Sequence, residues 1–96
     1  MYKLDKEDTM RAASGICHNI VIGPFKEYMK DYLDTACSEY VRDIGERLGE
    51  NNAVRVSQYF MEGIEKAAKR QGNKMAAKYA SQRSKDFKHQ LREMRR

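Results

Sequence analysis

The sequence predicts an all-α fold: a small four-helix bundle-like domain in which residues 1–96 form one unit, paired as a helical dimer. Three observations carry this. Apolar residues recur at steps of three and four through most of the chain, the spacing that returns to one face of a helix. Proline, the strongest helix breaker, occurs once, at Pro24. Clusters at Gly23-Pro24, Gly49-Glu50-Asn51-Asn52 and Gln71-Gly72-Asn73 divide the pattern into four segments. A chain of 96 residues buries a modest core, so self-association would add needed stability and a homodimer is expected. With 41% hydrophobic residues in regular spacing, the chain is too apolar for disorder.

The first helix is expected over about 6–21. Asp5 stands at its N-cap with Asp8 three residues on, and Met10, Ala13, Ile16, Cys17 and Ile20 line one face. Ile20-Val21-Ile22 could be extended, but no second strand exists to pair with it. Pro24 is tolerated in a first helical turn and opens a second helix over about 24–48. Its apolar face runs through Phe25, Tyr28, Met29, Tyr32, Leu33, Ala36, Cys37, Tyr40, Val41, Ile44 and Leu48. Three tyrosines on that stripe mean core or interface. Lys30/Asp34 and Asp43/Arg47 lie one turn apart on its polar side.

Gly49 suits the left-handed position after a helix, and Asn52 can cap the next, over about 53–71. Ala53, Val56, Tyr59, Phe60, Ile64, Ala67 and Ala68 face inward there. Gln71-Gly72-Asn73 supplies a stop and a new cap, and the fourth helix runs over about 74–95. Ala76, Ala80, Ser84, Phe87, Leu91 and Met94 form its apolar seam.

The formal charge of +5 is unevenly placed. Residues 66–96 hold eleven basic and two acidic residues, a net of +9, whereas residues 1–65 hold eight basic and twelve acidic, a net of −4. On the fourth helix Lys74, Lys78, Ser81, Lys85, Lys88, Arg92 and Arg95 fall on one line, apart from the apolar seam. A cationic face with few acidic neighbours points to a polyanion. The bland alternative is a solvated helix face.

Other chemistry finds little support. Cys17-His18, Cys37 and His89 show no metal-ligand spacing, so no metal is expected. The two cysteines sit at apolar helical positions and read as buried free thiols of a reducing, cytoplasmic compartment. His18 is expected half-buried, and His89 belongs with the basic helix. The six glycines are scattered and form no phosphate loop. No catalytic residue, cofactor or enzymatic activity is expected. Residues 1–15 contain no apolar run, so neither a signal peptide nor a membrane anchor is read there.

The stretch Asp43-Ile44-Gly45-Glu46-Arg47-Leu48-Gly49 resembles the first helix and turn of helix-turn-helix DNA-binding proteins, with a small residue and then a glycine at the turn. The resemblance covers about twenty residues and implies Arg55, Ser57 and Gln58 as base readers. It departs at Glu50, where an apolar residue is usual, and in the register of Val54, Val56 and Phe60.

The expected function is nucleic-acid binding through the basic helix, RNA before DNA, acting by occupancy: masking, chaperoning or titration. Lys74, Lys78, Lys85, Lys88, Arg92 and Arg95 would contact phosphates, and Lys69, Arg70, Arg83 and Arg96 would extend the patch. Tyr79 is the candidate for base stacking. Gln82, Gln90, Asn73 and Ser81 could hydrogen-bond the nucleic acid. The rival readings are a small regulator that binds another protein through its helical surface, and the helix-turn-helix DNA reader. Membrane-surface binding is disfavoured by the absence of Trp and by the alanine-rich start of the fourth helix.

Overall fold

The computed structural model describes residues 5–45 and 50–94. Among them there are five helices and no strand: α1 (Lys6–Ile16), α2 (His18–Ile22), α3 (Tyr28–Gly45), α4 (Glu50–Arg70) and α5 (Lys74–Met94). None is long and apolar enough to cross a membrane.

Asp5 caps α1 as expected, its carboxylate accepting from the Glu7 and Asp8 amides at 2.9 and 3.2 Å. The single first helix is not observed. The backbone leaves the helical well at Cys17 (φ −105°, ψ 25°) and restarts as the five-residue α2. The bend turns Ile20 and Val21 into the core and aims the carbonyls at the end of α2 towards Asn73. Ile16, expected to face inward, is left 50% exposed, whereas Thr9 is fully buried.

Pro24 does not open a helix. Residues 24–26 are non-helical, α3 starts at Tyr28, and Phe25 enters the core from the connection. Burying Phe25 from an irregular segment replaces the extra helical turn that the sequence pattern suggests. Among the described side chains of α3, Leu33 and Cys37 alone are buried. Tyr28 and Tyr32 are 67% and 57% exposed, and Tyr40 packs against Phe60 with ring centroids 5.6 Å apart. Lys30 pairs with Glu27 rather than with Asp34, and His18 is exposed.

Helix α4 begins at Glu50, so Asn52 lies inside it rather than capping it. The expected turn glycine Gly49, and Arg47 and Leu48, fall outside the described residues. Packed by α1, α3 and α5, α4 is the centre of the molecule. Val54, Val56, Ser57, Phe60, Met61, Gly63, Ile64, Ala67 and Ala68 are all buried on it. At Gly63 the backbone of α1 crosses so closely that an added Cβ would lie 2.5 Å from the Met10 carbonyl oxygen and 2.6 Å from its Cα. Only glycine fits that crossing.

Helices α4 and α5 form a hairpin. Gly72 takes the left-handed conformation (φ 72°), with its amide donating to Lys69 O and that of Asn73 to Ala68 O at 3.1 and 2.8 Å. These bonds satisfy carbonyls that a helix end leaves open. The arms meet through small residues, Ala67 and Ala68 with Ala76, Ala77 and Ala80, all buried. Asn73 then joins three elements. Its carbonyl oxygen accepts from the Ala76 amide at 3.3 Å, and its amide nitrogen donates to the carbonyls of Ile20, Val21 and Gly23 at 3.2, 3.0 and 2.8 Å. One side chain thus caps the start of α5 and closes the end of α2. The resulting hydrophobic cluster draws on all five helices and on Phe25.

A candidate polyanion-binding ridge on the last helix

Helix α5 docks through one stripe. Ala76, Ala77, Ala80, Ser84 and Leu91 are buried and Phe87 is half-buried, in close agreement with the apolar seam of the sequence. Turning that stripe inward leaves the cationic line on the outside. Lys74, Lys78, Lys85, Lys88 and Arg92 are all exposed, with Ser81 half-buried between them. Among the described residues none of the five forms an ion pair. From Lys74 to Arg92 the ridge measures about 27 Å at 1.5 Å per residue. Arg95 and Arg96, which would extend it, lie outside the described residues.

The flanking candidates divide. Arg70 is exposed but lines a depression between α1 and α4 with Glu7, Arg11 and Lys66, away from the ridge, and Lys69 is exposed but bound to Glu65 at 2.8 Å. Arg83 belongs to a different structure. Its Nε donates to Asp34 Oδ1 at 3.1 Å, its Nη1 to Asp86 Oδ2 at 3.3 Å, and its guanidinium carbon lies 4.9 Å from the Phe87 ring centre. Partial burial is the largest influence and opposes its charge, but the bond and charge of Asp34, with Tyr79 and Asp86, together raise its pKa.

Asp34 also fixes Tyr79. The tyrosine hydroxyl donates to Asp34 Oδ2 at 2.7 Å, while its ring lies 5.8 Å from that of Phe25 and beneath Lys30 Nζ at 5.7 Å. Desolvation, reinforced by the bond to Asp34, pushes the phenol up to about 12, so it remains a donor near neutral pH. Asp34 therefore clamps α3 to α5 through two residues that the sequence assigns to ligand binding. Asn73, another sequence candidate for hydrogen bonding to nucleic acid, has its side chain committed to α2 and α5.

Beside the ridge lie two depressions that share Lys78 as a wall. One, between α4 and α5, is bounded by Glu65, Lys69, Lys74 and Ser81. The other, between α5 and the segment around Phe25, has a volume of about 400 Å³ and is bounded by Phe25, Lys30, Met75, Tyr79 and Gln82. Local spacing cannot reveal the second, because its walls come from positions about fifty residues apart. Met75, 66% exposed at its mouth, was the available signal: an apolar residue lying off the apolar seam.

Elsewhere the chemistry is quiet. Cys17 and Cys37 are buried free thiols, raised by desolvation to about 11 and about 12, which disfavours the reactive thiolate. Among the described residues no three His, Cys, Asp or Glu side chains gather as a metal site. On α4 Ser57 is buried with its hydroxyl bound to Ala53 O, and Gln58 Nε2 donates to Glu62. No protein-family model, curated protein or solved structure matches this chain.

Proposed function

We propose that the chain binds RNA through the α5 ridge and acts by occupancy, as a homodimer of small helical subunits. The observation that carries this is the row of five exposed cations, Lys74, Lys78, Lys85, Lys88 and Arg92, without ion-pair partners among the described residues, on a helix anchored by its other side. A solvated face would be expected to intersperse acidic partners. Here the acidic residues of α5, Asp86 and Glu93, engage Arg83 and His89 instead. RNA is preferred to DNA because a single basic helix beside an irregular cleft suits phosphate-dense, partly unpaired surfaces. The helix-turn-helix reading is the weaker one, since of its expected readers on α4 Ser57 is buried and bonded to Ala53 O, and Gln58 is engaged by Glu62.

The dimer is supported by an exposed apolar face. Ile16, Tyr28 and Tyr32 surround a depression of about 220 Å³ floored by Cys17, Ile20 and Met29. The same face favours the second reading, a regulator that docks another protein; a monomer in light scattering would leave the face to such a partner.

Titration of labelled RNA and duplex DNA of equal length at two salt concentrations tests the main reading. Binding should weaken steeply with salt. Replacing Lys74, Lys78, Lys85 and Lys88 by Ala should reduce the log–log salt slope by about 3 units, at roughly 0.7 per phosphate contact on a single strand. Folding stability should move by no more than about 0.5 kcal/mol, as expected for surface positions. Absence of binding at low salt overturns the reading, and unchanged binding by the variant overturns the ridge.

A further inference from the structure

We propose that the cleft beside the ridge takes one unpaired base of the bound RNA strand, an inference that rests on RNA binding by α5. The cleft combines an apolar, partly aromatic lining with two lysines. Phe25 and Tyr79 form its aromatic wall, and Met75 stands exposed at its mouth. Lys78 lines the cleft, and Lys30 Nζ lies over the Tyr79 ring at 5.7 Å, where an entering base would displace it. This is the pairing of chemistries that a nucleotide presents: a flat π-surface attached to an anionic backbone. A volume of about 400 Å³ falls within the range of small-ligand sites.

Three details orient the ligand. Lys78 belongs both to the ridge and to the cleft, so a strand whose phosphates follow the ridge passes the opening. The Tyr79 ring is held by its hydroxyl on Asp34, giving a fixed wall rather than a mobile side chain. Gln82 lies on the same rim with its amide nitrogen on Asp86 Oδ1 at 3.0 Å, which leaves its carbonyl oxygen to accept from a base amino group. The depression across the ridge carries Lys69, Lys74 and Lys78 beside Glu65 but lacks an aromatic residue, so it offers charge without a stacking surface. A base in a duplex is already paired and stacked and cannot enter, so the site selects unpaired strands.

Fluorescence titration distinguishes these terms. A single-stranded RNA carrying one 2-aminopurine and a blunt RNA duplex of the same length are titrated at fixed low salt with the full chain and with Met75→Ala. The exposed position of Met75 leaves folding intact, which circular dichroism verifies. The single strand should bind at least about fivefold more tightly than the duplex and change its 2-aminopurine emission. Met75→Ala should lower single-strand affinity about fivefold, leave duplex affinity and the salt slope unchanged, and diminish the emission change. Equal affinity for both RNAs, or a Met75→Ala variant that behaves as the parent, overturns the cleft while leaving the ridge standing. Failure of both RNAs to bind overturns the ridge itself, and with it the cleft's ligand.

Discussion

Helices α4 and α5 are each 21 residues long and lie against one another, yet they occupy opposite situations. Helix α4 is packed by three neighbours and buries a broad face, from Val54 to Ala68. Helix α5 buries one stripe and offers the remainder to solvent. The difference lies in the number of partners: both helices are amphipathic. It follows that a change on α4 should register as stability, and a change on the outer face of α5 as binding with stability unaltered.

The sharpest way to break that contrast is at the closest helix crossing. Gly63→Ala should destabilise the protein by about 2–3 kcal/mol, because overpacking against backbone exceeds the helix propensity that alanine gains. Gly15→Ala, where an added Cβ meets nothing within 4 Å, should instead stabilise it by about 0.5–1 kcal/mol. Urea unfolding midpoints of the two variants should therefore move in opposite directions, and parallel shifts would remove the close approach of α1 to α4.

Asn73→Ala comes next, at about 2 kcal/mol, since it removes a helix cap and the donor to the α2 carbonyls. Asn73→Asp separates the two roles. It keeps an acceptor for the Ala76 amide but sets a carboxylate against the Ile20, Val21 and Gly23 carbonyls, so it should not rescue the loss. A fully stable Asp variant in the same denaturation assay would sink the assignment.

Stability should also depend on pH at the alkaline end. Burial raises Cys17, Cys37 and Tyr79 from ordinary values of 9, 9 and 10 to about 11, about 12 and about 12. The unfolded chain therefore loses these protons first, and stability falls as pH rises. This contribution is fully present below pH 9 and is lost progressively between about pH 9 and 12. A Cys17→Ala/Cys37→Ala variant should delay the onset of the decline to about pH 10, where only Tyr79 remains. Denaturant midpoints measured across that window decide it.

Much of this was legible in the sequence because it is local. Steps of three and four placed the helices and the docking stripe of α5, and Gly72-Asn73 marked the hairpin turn. The break at Cys17 was not legible, because the apolar spacing from Ala13 through Cys17 to Ile20 continues across it. Nor was the exposure of Tyr28 and Tyr32, since periodicity identifies a face but not whether a neighbour covers it. Gly63 offered a weak signal, as a glycine inside a helix costs about 1 kcal/mol and invites a reason. At the candidate site the cationic line was readable by the same local rule. The diversion of Arg83 and Tyr79 was not, because Asp34 lies 49 and 45 residues away.

The same distinction between near and far bears on the order of assembly. The α4–α5 hairpin joins residues close in the chain, which lowers the entropy of bringing them together. The amide of Asn73 must await carbonyls 50 to 53 residues upstream. It acts as a latch closed late, when α2 arrives on a hairpin already formed. In stopped-flow experiments the loss caused by Asn73→Asp, which keeps the cap on α5, should appear chiefly as faster unfolding, with refolding slowed much less.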